Sequence, residues 1–600
     1  LKIAVTRLSP PPGAAILLQQ ASFALNLKTR LIMNYFKLLF SGILLACFTL
    51  VKAQEASTVF VRSFNENLYE IRMTDDFQNN RIVAAQWAVG SGQGVSNPNV
   101  FIEKYNSQNA MQWGMSTLYE FGAVQATLVD VAVDEGGAVY VLINYQGGTA
   151  ELNGVSFEGT VENENDFFLA KISPSGSVQW VIGPDFGDFP EKDRTARSLS
   201  INSENEILIC GDHHRDFSMG GTLVEGAASD AEDSQFEYPM SFVVKLDHEG
   251  NGIMSQSFNK IDNLSVTGSQ GPQDVLQAPD GTIFTLLNLS GAVELNGDTI
   301  NPNSSEGELT KAILKTDENF GNPTVLMLHS PESFGFQISE FILDQCGEPV
   351  IGGTYSEYLD MGGEEISTTT GTRDIFVARL SIENEVQWLQ GFGTSFSDNF
   401  RGLDVNDQNE VFFSMEYSGE FTYSDEPYTP EGGDAAIFKL DSQGEFIWEV
   451  HTTGPAPVQS YDLAVMPDNT IGMVNTLNGS ENIGGASLQS DGRMVLSTWI
   501  ANEHSGEPVD CSGVISVEEP KINETELAIY PNPAQDFITV EFRGKKSEDN
   551  QVVVFNSSGQ RVLTKNLNNS KKLDVSTLPS GLYMLKVEGI QNPAKRFIKR

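Results

Sequence analysis

Six hundred residues, at roughly 150 per domain, leave room for several folded units, and a 40% hydrophobic, 10% aromatic composition supplies their cores. Eighty acidic against 37 basic residues, net −43, exclude a nucleic-acid partner, because phosphate binding needs clustered Lys and Arg. Four cysteines exclude a disulfide-built scaffold, and 55 glycines with 25 prolines exclude a collagen-like chain.

The charge is unevenly spread. Residues 1–54 hold six basic residues and no acid, residues 55–520 hold 18 basic and 72 acidic, and residues 521–600 hold 13 basic and 8 acidic. From Met33 the chain reads MNYFK, then an apolar run from Leu38 to Val51, then Lys52 and Ala53 before Gln54. A positive start, a short apolar stretch and small residues at Val51 and Ala53 predict a signal peptide over 33–53, cut between Ala53 and Gln54. The run is too short to span a bilayer comfortably, so the mature chain is expected to carry no transmembrane segment. Leu44-Leu45-Ala46-Cys47 also resembles a lipoprotein box, ranked below ordinary cleavage. Residues 1–32, upstream of this start, are expected to be a gene-model extension.

The middle of the chain repeats. VFIEKYNSQNAMQW, FFLAKISPSGSVQW, IFVARLSIENEVQW and AIFKLDSQGEFIW end at Trp113, Trp180, Trp388 and Trp448, each nine positions after a basic residue, Lys104, Lys171, Arg379 or Lys439. Two further copies keep Lys245 and Lys315 without the tryptophan, and SLQSDGRMVLSTW keeps Trp499 without the lysine. Each reads as strand, polar turn, strand. A second hairpin precedes each copy from the second onward, with its first apolar residue after the turn at Val139, Ile207, Ile283, Val350, Val411 and Ile471. Two hairpins per unit predict four strands, repeated seven times between about Thr58 and Ile500.

Such a unit is too short for an immunoglobulin-like sandwich. Segments such as FFLA and FVVK are apolar on both faces, so each sheet needs cover on both sides. Radial stacking supplies it, which predicts an all-β fold with a seven-bladed β-propeller over 54–501, a β-helix or tandem small sandwiches being the alternatives. Surplus residues are assigned to loops such as Gly226 to Pro239. The D-x-x-G turn, the FxxKL strand, the S-x-G turn and the W-ending strand resemble bacterial β-propeller repeats of the SBBP type. That resemblance implies a propeller and no particular activity.

Polar, acidic residues 502–526, with Pro508 and Pro520, read as a linker. Beyond them stand LAIYPNPAQDFITVEF, VVVFNSSGQRV and LDVSTLPSGLYMLKVEG, with a basic end, RFIKR. This pattern predicts a small immunoglobulin-like β-sandwich over 527–600. It resembles the type A C-terminal sorting domain of the type IX secretion system. The matching residues are Tyr530, Pro531, Asn532, Pro533, Gly559, Pro579, Gly581, Tyr583 and Lys599. The resemblance implies passage to the periplasm, recognition by an outer-membrane translocon, and removal of the domain within the linker.

Little in the chain points to chemistry. There is no G-x-S-x-G, H-E-x-x-H, Walker loop or G-x-G-x-x-G, so no catalytic or cofactor-binding residue is assigned. The repeated basic residues are expected to lie along blades with their heads in water, and the tryptophans to pack between blades. His213 and His214 point opposite ways on a strand, a poor metal pair even with Asp212 and Asp216 nearby. Acidic stretches 185–193 and 229–234 could bind calcium but lack EF-hand spacing. Signal removal leaves Cys210, Cys346 and Cys511, of which Cys346 and Cys511 could pair. The sequence therefore predicts an exported binding, adhesion or scaffold module for an extracellular glycan or protein. The competing reading is a secreted hydrolase or lyase acting on polysaccharide.

Overall fold

The computed structural model describes residues 58–511 and 527–600 apart from 62–67, 88–99, 109, 120–125, 147–148, 159–164, 186–193, 227–239, 261–270, 290–291, 301–309, 331–335, 369–372, 421–428, 431–432, 456, 484–485, 501–508, 510, 531–533, 543–550, 557–560, 567–571, 580 and 588–594. The expected extension, the signal peptide with Ala53 and Gln54, Cys47, most of the linker and the Gly226–Pro239 loop after its first residue lie outside the described residues. Two compact units result, 1–511 and 512–600. Among the described residues neither contains an α-helix.

Six four-stranded antiparallel meanders follow one another in the first unit. Their innermost strands are Leu68–Asp75, Ala126–Val133, Arg194–Ile201, Gly271–Gln277, Gln337–Leu343 and Asn399–Val405. The seventh sheet is assembled from both ends of the unit. Val458–Val465, Thr470–Ile483 and Ala486–Ile500 supply three strands, and Thr58–Val61 pairs with the last of them as the fourth. Apolar cores lie between neighbouring sheets. Val83, Ala85 and Phe101 of the first sheet share a core with Ala464, Met466 and Val474 of the seventh. Six further cores join each sheet to its successor, so the sheets close into a ring of seven blades.

Two sequence expectations are corrected. The first blade does have an inner hairpin, Leu68–Asp75 with Arg81–Trp87, its turn built on Asp76 rather than on a D-x-x-G. SLQSDGRMVLSTW is not a hairpin but part of one strand. Its SDG stretch is a bulge, where the register steps from Arg493 to Asp491 opposite Leu477 and Asn478. Surplus residues also form outer hairpins that extend the preceding blade. Thr149–Leu152 with Val155–Glu158 is added to blade 1, Val293–Leu295 with Asp298–Ile300 to blade 3, and Tyr358–Met361 with Glu364–Ser367 to blade 4.

The nine-residue spacing of the basic residue and tryptophan has a geometric cause. Lys104 and Trp113 are cross-strand partners, as are Arg379 and Trp388, so both side chains emerge on one face. Lys104 Nζ and Trp113 Nε1 both donate to the Pro174 carbonyl of the next blade, at 3.4 and 3.0 Å. Arg379 Nη1 and Trp388 Nε1 likewise share the Ser442 carbonyl, at 3.1 and 3.3 Å. Most of the cationic heads are not in water, contrary to expectation. Lys104 meets Asp76 at 2.6 Å, Lys171 meets Asp134 at 3.6 Å, Lys439 meets Glu410 at 2.7 Å, and Lys245 pairs with Glu206. Arg379 pairs with Asp344 and, at 3.0 Å, with Glu348. Each of these carboxylates lies in the inner turn of the same blade. Lys315 differs, reaching Glu383 of the next blade at 2.6 Å. Lys104, Lys171 and Arg379 thus each fasten the inner turn of their own blade to an outer turn of the next.

The second unit has two sheets. One contains Leu527–Tyr530, Phe537–Phe542 and Lys572–Asp574, and the other Gln551–Asn556, Arg561–Asn566, Gly581–Val587 and Lys595–Lys599. They share a core that includes Ile538, Val540, Leu573, Val552, Leu585 and Phe597.

Arg379→Met would leave Asp344 and Glu348 buried without their cation. We expect a loss of about 3–5 kcal/mol in urea unfolding followed by tryptophan fluorescence. All six tryptophans lie within residues 58–511, so that signal reports the propeller alone.

Candidate functional site: the axial cavity

The innermost strands surround the ring axis, and all seven contribute to the wall of a cavity of about 620 Å³. On most of these strands a β-bulge interrupts the pairing, between Leu128/Asp130, Ala196/Ser198, Pro272/Asp274, Ile338/Glu340, Phe400/Leu403 and Ser460/Asp462. A bulge breaks strict alternation and re-aims the next side chain. Arg72, Asp130, Ser198, Asp274, Glu340 and Asp462 therefore occupy one register around the cavity, opposite Ala84, Leu142, Cys210, Leu286, Gly352 and Val474. Gly402 holds the corresponding place in blade 6, where its N–H donates to Ser414 Oγ at 3.1 Å. A side chain there would collide with the Leu463 amide of blade 7, 2.5 Å from a Cβ.

Most of the acids lining the cavity are already engaged. Asp462 accepts its own strand's Leu463 N–H at 2.8 Å and the Met73 N–H of blade 1 at 2.8 Å, across the ring closure. Asp404 accepts Val405 N–H at 2.8 Å and Val465 N–H at 2.7 Å. Asp130 accepts Val131 N–H at 2.8 Å and, more weakly, Leu199 N–H at 3.3 Å. Asp274 accepts Val275 N–H at 2.7 Å and the Ser198 hydroxyl. Each of these carboxylates stitches one blade to another. Glu340 differs: its carboxyl takes no hydrogen bond among the described residues and meets its neighbours through charge alone.

Arg72 is the central counter-charge. Burial opposes its charge, but the facing carboxylates of Glu340, Asp130, Asp462 and Glu70 hold its proton more tightly than in ordinary arginine. The acids move the other way. Burial raises Asp274 to about 7, aided by the Asp130 charge and against the Ser198 hydrogen bond. Burial likewise raises Asp404 to about 7 and Asp75 to about 6, and it pushes Glu340 well up despite Arg72. At the cavity wall Phe77 is 56% exposed and in the left-handed region, with φ 58°.

Residues singled out from sequence fall elsewhere. His213 is fully buried, with Phe217 and Phe242 edge-on to its ring and Nδ1 3.0 Å from the Arg215 carbonyl. Burial, with the Arg194 charge, lowers it to about 4, so it is neutral at pH 7. His214 is half-buried. No group of three His, Cys, Asp or Glu among the described residues could hold a metal ion. Residues 186–193 and 229–234 lie outside the described residues. Cys346 and Cys511 form a disulfide, and Cys210 is a buried free thiol. The axial acids went unread, although an acid recurs in otherwise apolar strands shortly before the inner turns, as in LVDVAV and YDLAV.

In the second unit Tyr583 donates to the Pro579 carbonyl at 2.8 Å and stacks on Phe597, while Gly581 opens the strand paired with Lys595–Lys599. Tyr530 ends its strand, and Lys599 is buried beside the terminal Arg600. Pro531, Asn532, Pro533 and Gly559 lie outside the described residues.

Residues 528–600 match the model of the secretion system C-terminal sorting domain. The sorting domain directs export through type IX secretion, and the address of the chain is the cell surface or the extracellular space. No curated protein matches the chain in sequence. Similar solved structures include a Dyadobacter fermentans protein of unknown function, at 10% identity over 75% of this chain and 99% of that one, TM-score 0.34. An ulvan lyase bound to a GlcA–Rha3S saccharide matches at 12% identity over 74% and 93%, TM-score 0.34. A Synechocystis apocarotenoid oxygenase matches at 10% identity over 74% and 94%, TM-score 0.34. No helix among the described residues is long and apolar enough to cross a membrane.

The raised carboxyls set a pH dependence. A carboxyl whose folded pKa exceeds its unfolded value holds its proton longer in the native state, so stability falls as pH rises between the two. For Asp274, Asp404 and Asp75 that window runs from about 4 to about 7. We expect the urea midpoint to fall from pH 5 to pH 7.5, and Asp274→Asn to flatten the slope.

Proposed function

We propose that the chain is an exported binding module. Its SBBP-like propeller presents the axial cavity to an extracellular ligand, and the sorting domain delivers it after a signal peptide has taken it to the periplasm. The observation that carries this reading is the cavity itself, walled by all seven blades and holding one carboxyl, Glu340, that faces Arg72 but takes no hydrogen bond among the described residues.

The lining favours one class of ligand. It carries Asp75, Asp130, Asp274, Glu340, Asp404, Asp407 and Asp462 against Arg72 and Arg197. Arg197 is committed to Asp212 at 2.7 Å. Burial holds part of this set protonated near neutral pH, yet the carboxyls outnumber the remaining guanidinium, so the surface disfavours uronates and sulfates and favours ligands that donate hydrogen bonds or carry an ammonium, such as amino sugars or basic peptides. Phe77 adds an apolar platform for a sugar face or a cation. The same charge weighs against lyase action on acidic polysaccharide, which requires a uronate to enter.

Purified full-length chain should bind amine-bearing glycans or basic peptides on an array containing neutral, amino and acidic glycans. Glu340→Gln should weaken that binding about tenfold, the roughly 1.5 kcal/mol at the weak end of a charged hydrogen bond, because burial holds Glu340 toward its protonated form, with tryptophan fluorescence unchanged. Binding confined to acidic glycans would overturn the ligand class, and release of reducing ends or unsaturated products would overturn the non-enzymatic reading. Deleting residues 527–600 should trap the propeller in the periplasm of a type IX-secreting host, as read by surface immunolabelling.

A further inference from the structure

The tail that leads to the sorting domain is fastened at two points. The last strand of blade 7 ends at Ile500, yet Val509 N–H donates at 3.0 Å to the carbonyl of Asp407, in the inner turn of blade 6. Cys511 is then disulfide-bonded to Cys346, in the inner turn of blade 5, across a sequence separation of 165. Gln345, beside Cys346, and Asp407 both line the axial cavity. Cys346 is 4% exposed, and Asn409 of blade 6 donates to its Sγ at 3.5 Å. The compact propeller unit ends at Cys511, and the second unit begins with Ser512.

We propose that Cys346–Cys511 is a retention staple that fixes where processing can release the propeller. The proposal rests on the reading that the sorting domain is removed. Hydrolysis of a peptide bond between Ile500 and Cys511 adds one water across that bond but leaves the two fragments joined through sulfur. Hydrolysis beyond Cys511 breaks the last covalent connection. The released propeller therefore keeps Cys511, and the part of the expected linker that precedes Cys511 cannot serve as a release point while the disulfide stands. Exchange needs access to a sulfur, and with Cys346 buried and Cys511 half-buried an external thiol can approach only from the Cys511 side.

The test is to express the full chain in a type IX-secreting host and map the C-terminus of the released or surface-held form by mass spectrometry without reduction. The expected result is an end beyond Cys511 and a linked Cys346–Cys511 peptide. An end between Ile500 and Cys511 on a released propeller would overturn the proposal. Cys511→Ser leaves the blade 5 turn intact and should allow released forms ending before position 511. Unchanged ends in that variant would also overturn the proposal.

An intact, unprocessed surface chain would instead refute removal of the sorting domain. The staple is then judged on purified full chain nicked by a glutamyl endopeptidase. Between Ile500 and Cys511 the acceptor bonds follow Glu503 and Glu507, the latter blocked by Pro508. The species nicked at Glu503 alone should stay whole on a non-reducing gel and split on a reducing one. Splitting without reductant would overturn the proposal.

Discussion

A sheet that is apolar on both faces cannot be stable unless something covers each face, and that constraint governs the propeller. Strands such as Asp374–Leu380 and Asp434–Leu440 are buried along their whole length, including their polar members. The cheapest cover for one such sheet is another of the same kind, but a linear stack leaves two bare ends. Seven inter-blade cores, the last joining blade 7 to blade 1, remove both ends. The ring follows from the burial, and the axial cavity follows from the ring, because twisted sheets packed radially cannot meet at the axis.

Closure also makes polar demands. Where inner strands converge, their backbone amides face one another across blade boundaries and must be satisfied. Asp130, Asp404 and Asp462 do this, each taking one N–H from its own strand and one from the next blade. Burying carboxylates at the axis carries a desolvation penalty, to which their mutual repulsion adds, and both show as the upward shift of Asp274, Asp404 and Asp75. A single arginine, Arg72 of blade 1, offsets part of it. The same residues therefore serve ring closure and give the cavity its acidic lining.

The repeat was legible because the Lys/Arg–Trp spacing is the length of a hairpin returning to the same register, a one-dimensional trace of Lys104 facing Trp113. The destination of the basic heads was not legible. Asp76, Asp134 and Asp344 stand 28, 37 and 35 positions before the cations they meet, and nothing in that separation distinguishes a buried pair from two solvated charges. The axial acids were hidden for a related reason. Strict alternation assigns Asp130 or Asp462 to a blade face, whereas the bulge just before each turns it toward the axis. The seventh blade misled because its fourth strand comes from Thr58–Val61, more than 400 residues away in sequence.

The two ends of the propeller are secured by different means, and the difference has a physical rationale. The N-terminal end closes the ring through one four-residue strand, Thr58–Val61, paired by backbone hydrogen bonds. Such a closure is reversible, since a short edge strand can fray. The C-terminal end is held covalently, two blades back, at the turn that carries Cys346. Closing a loop of that length restricts the unfolded chain by up to about 5 kcal/mol on the chain-entropy model. The restricted stretch spans the inner turn of blade 5 through the last strand of blade 7, which includes the strand that Thr58–Val61 must find. If the N-terminal strand lets go, blades 5 to 7 remain tied to one another, and the surface on which it re-forms is preserved. A covalent tie at one end thus supports a reversible closure at the other, which suits a ring that must keep its shape outside the cell, where chaperones cannot rebuild it.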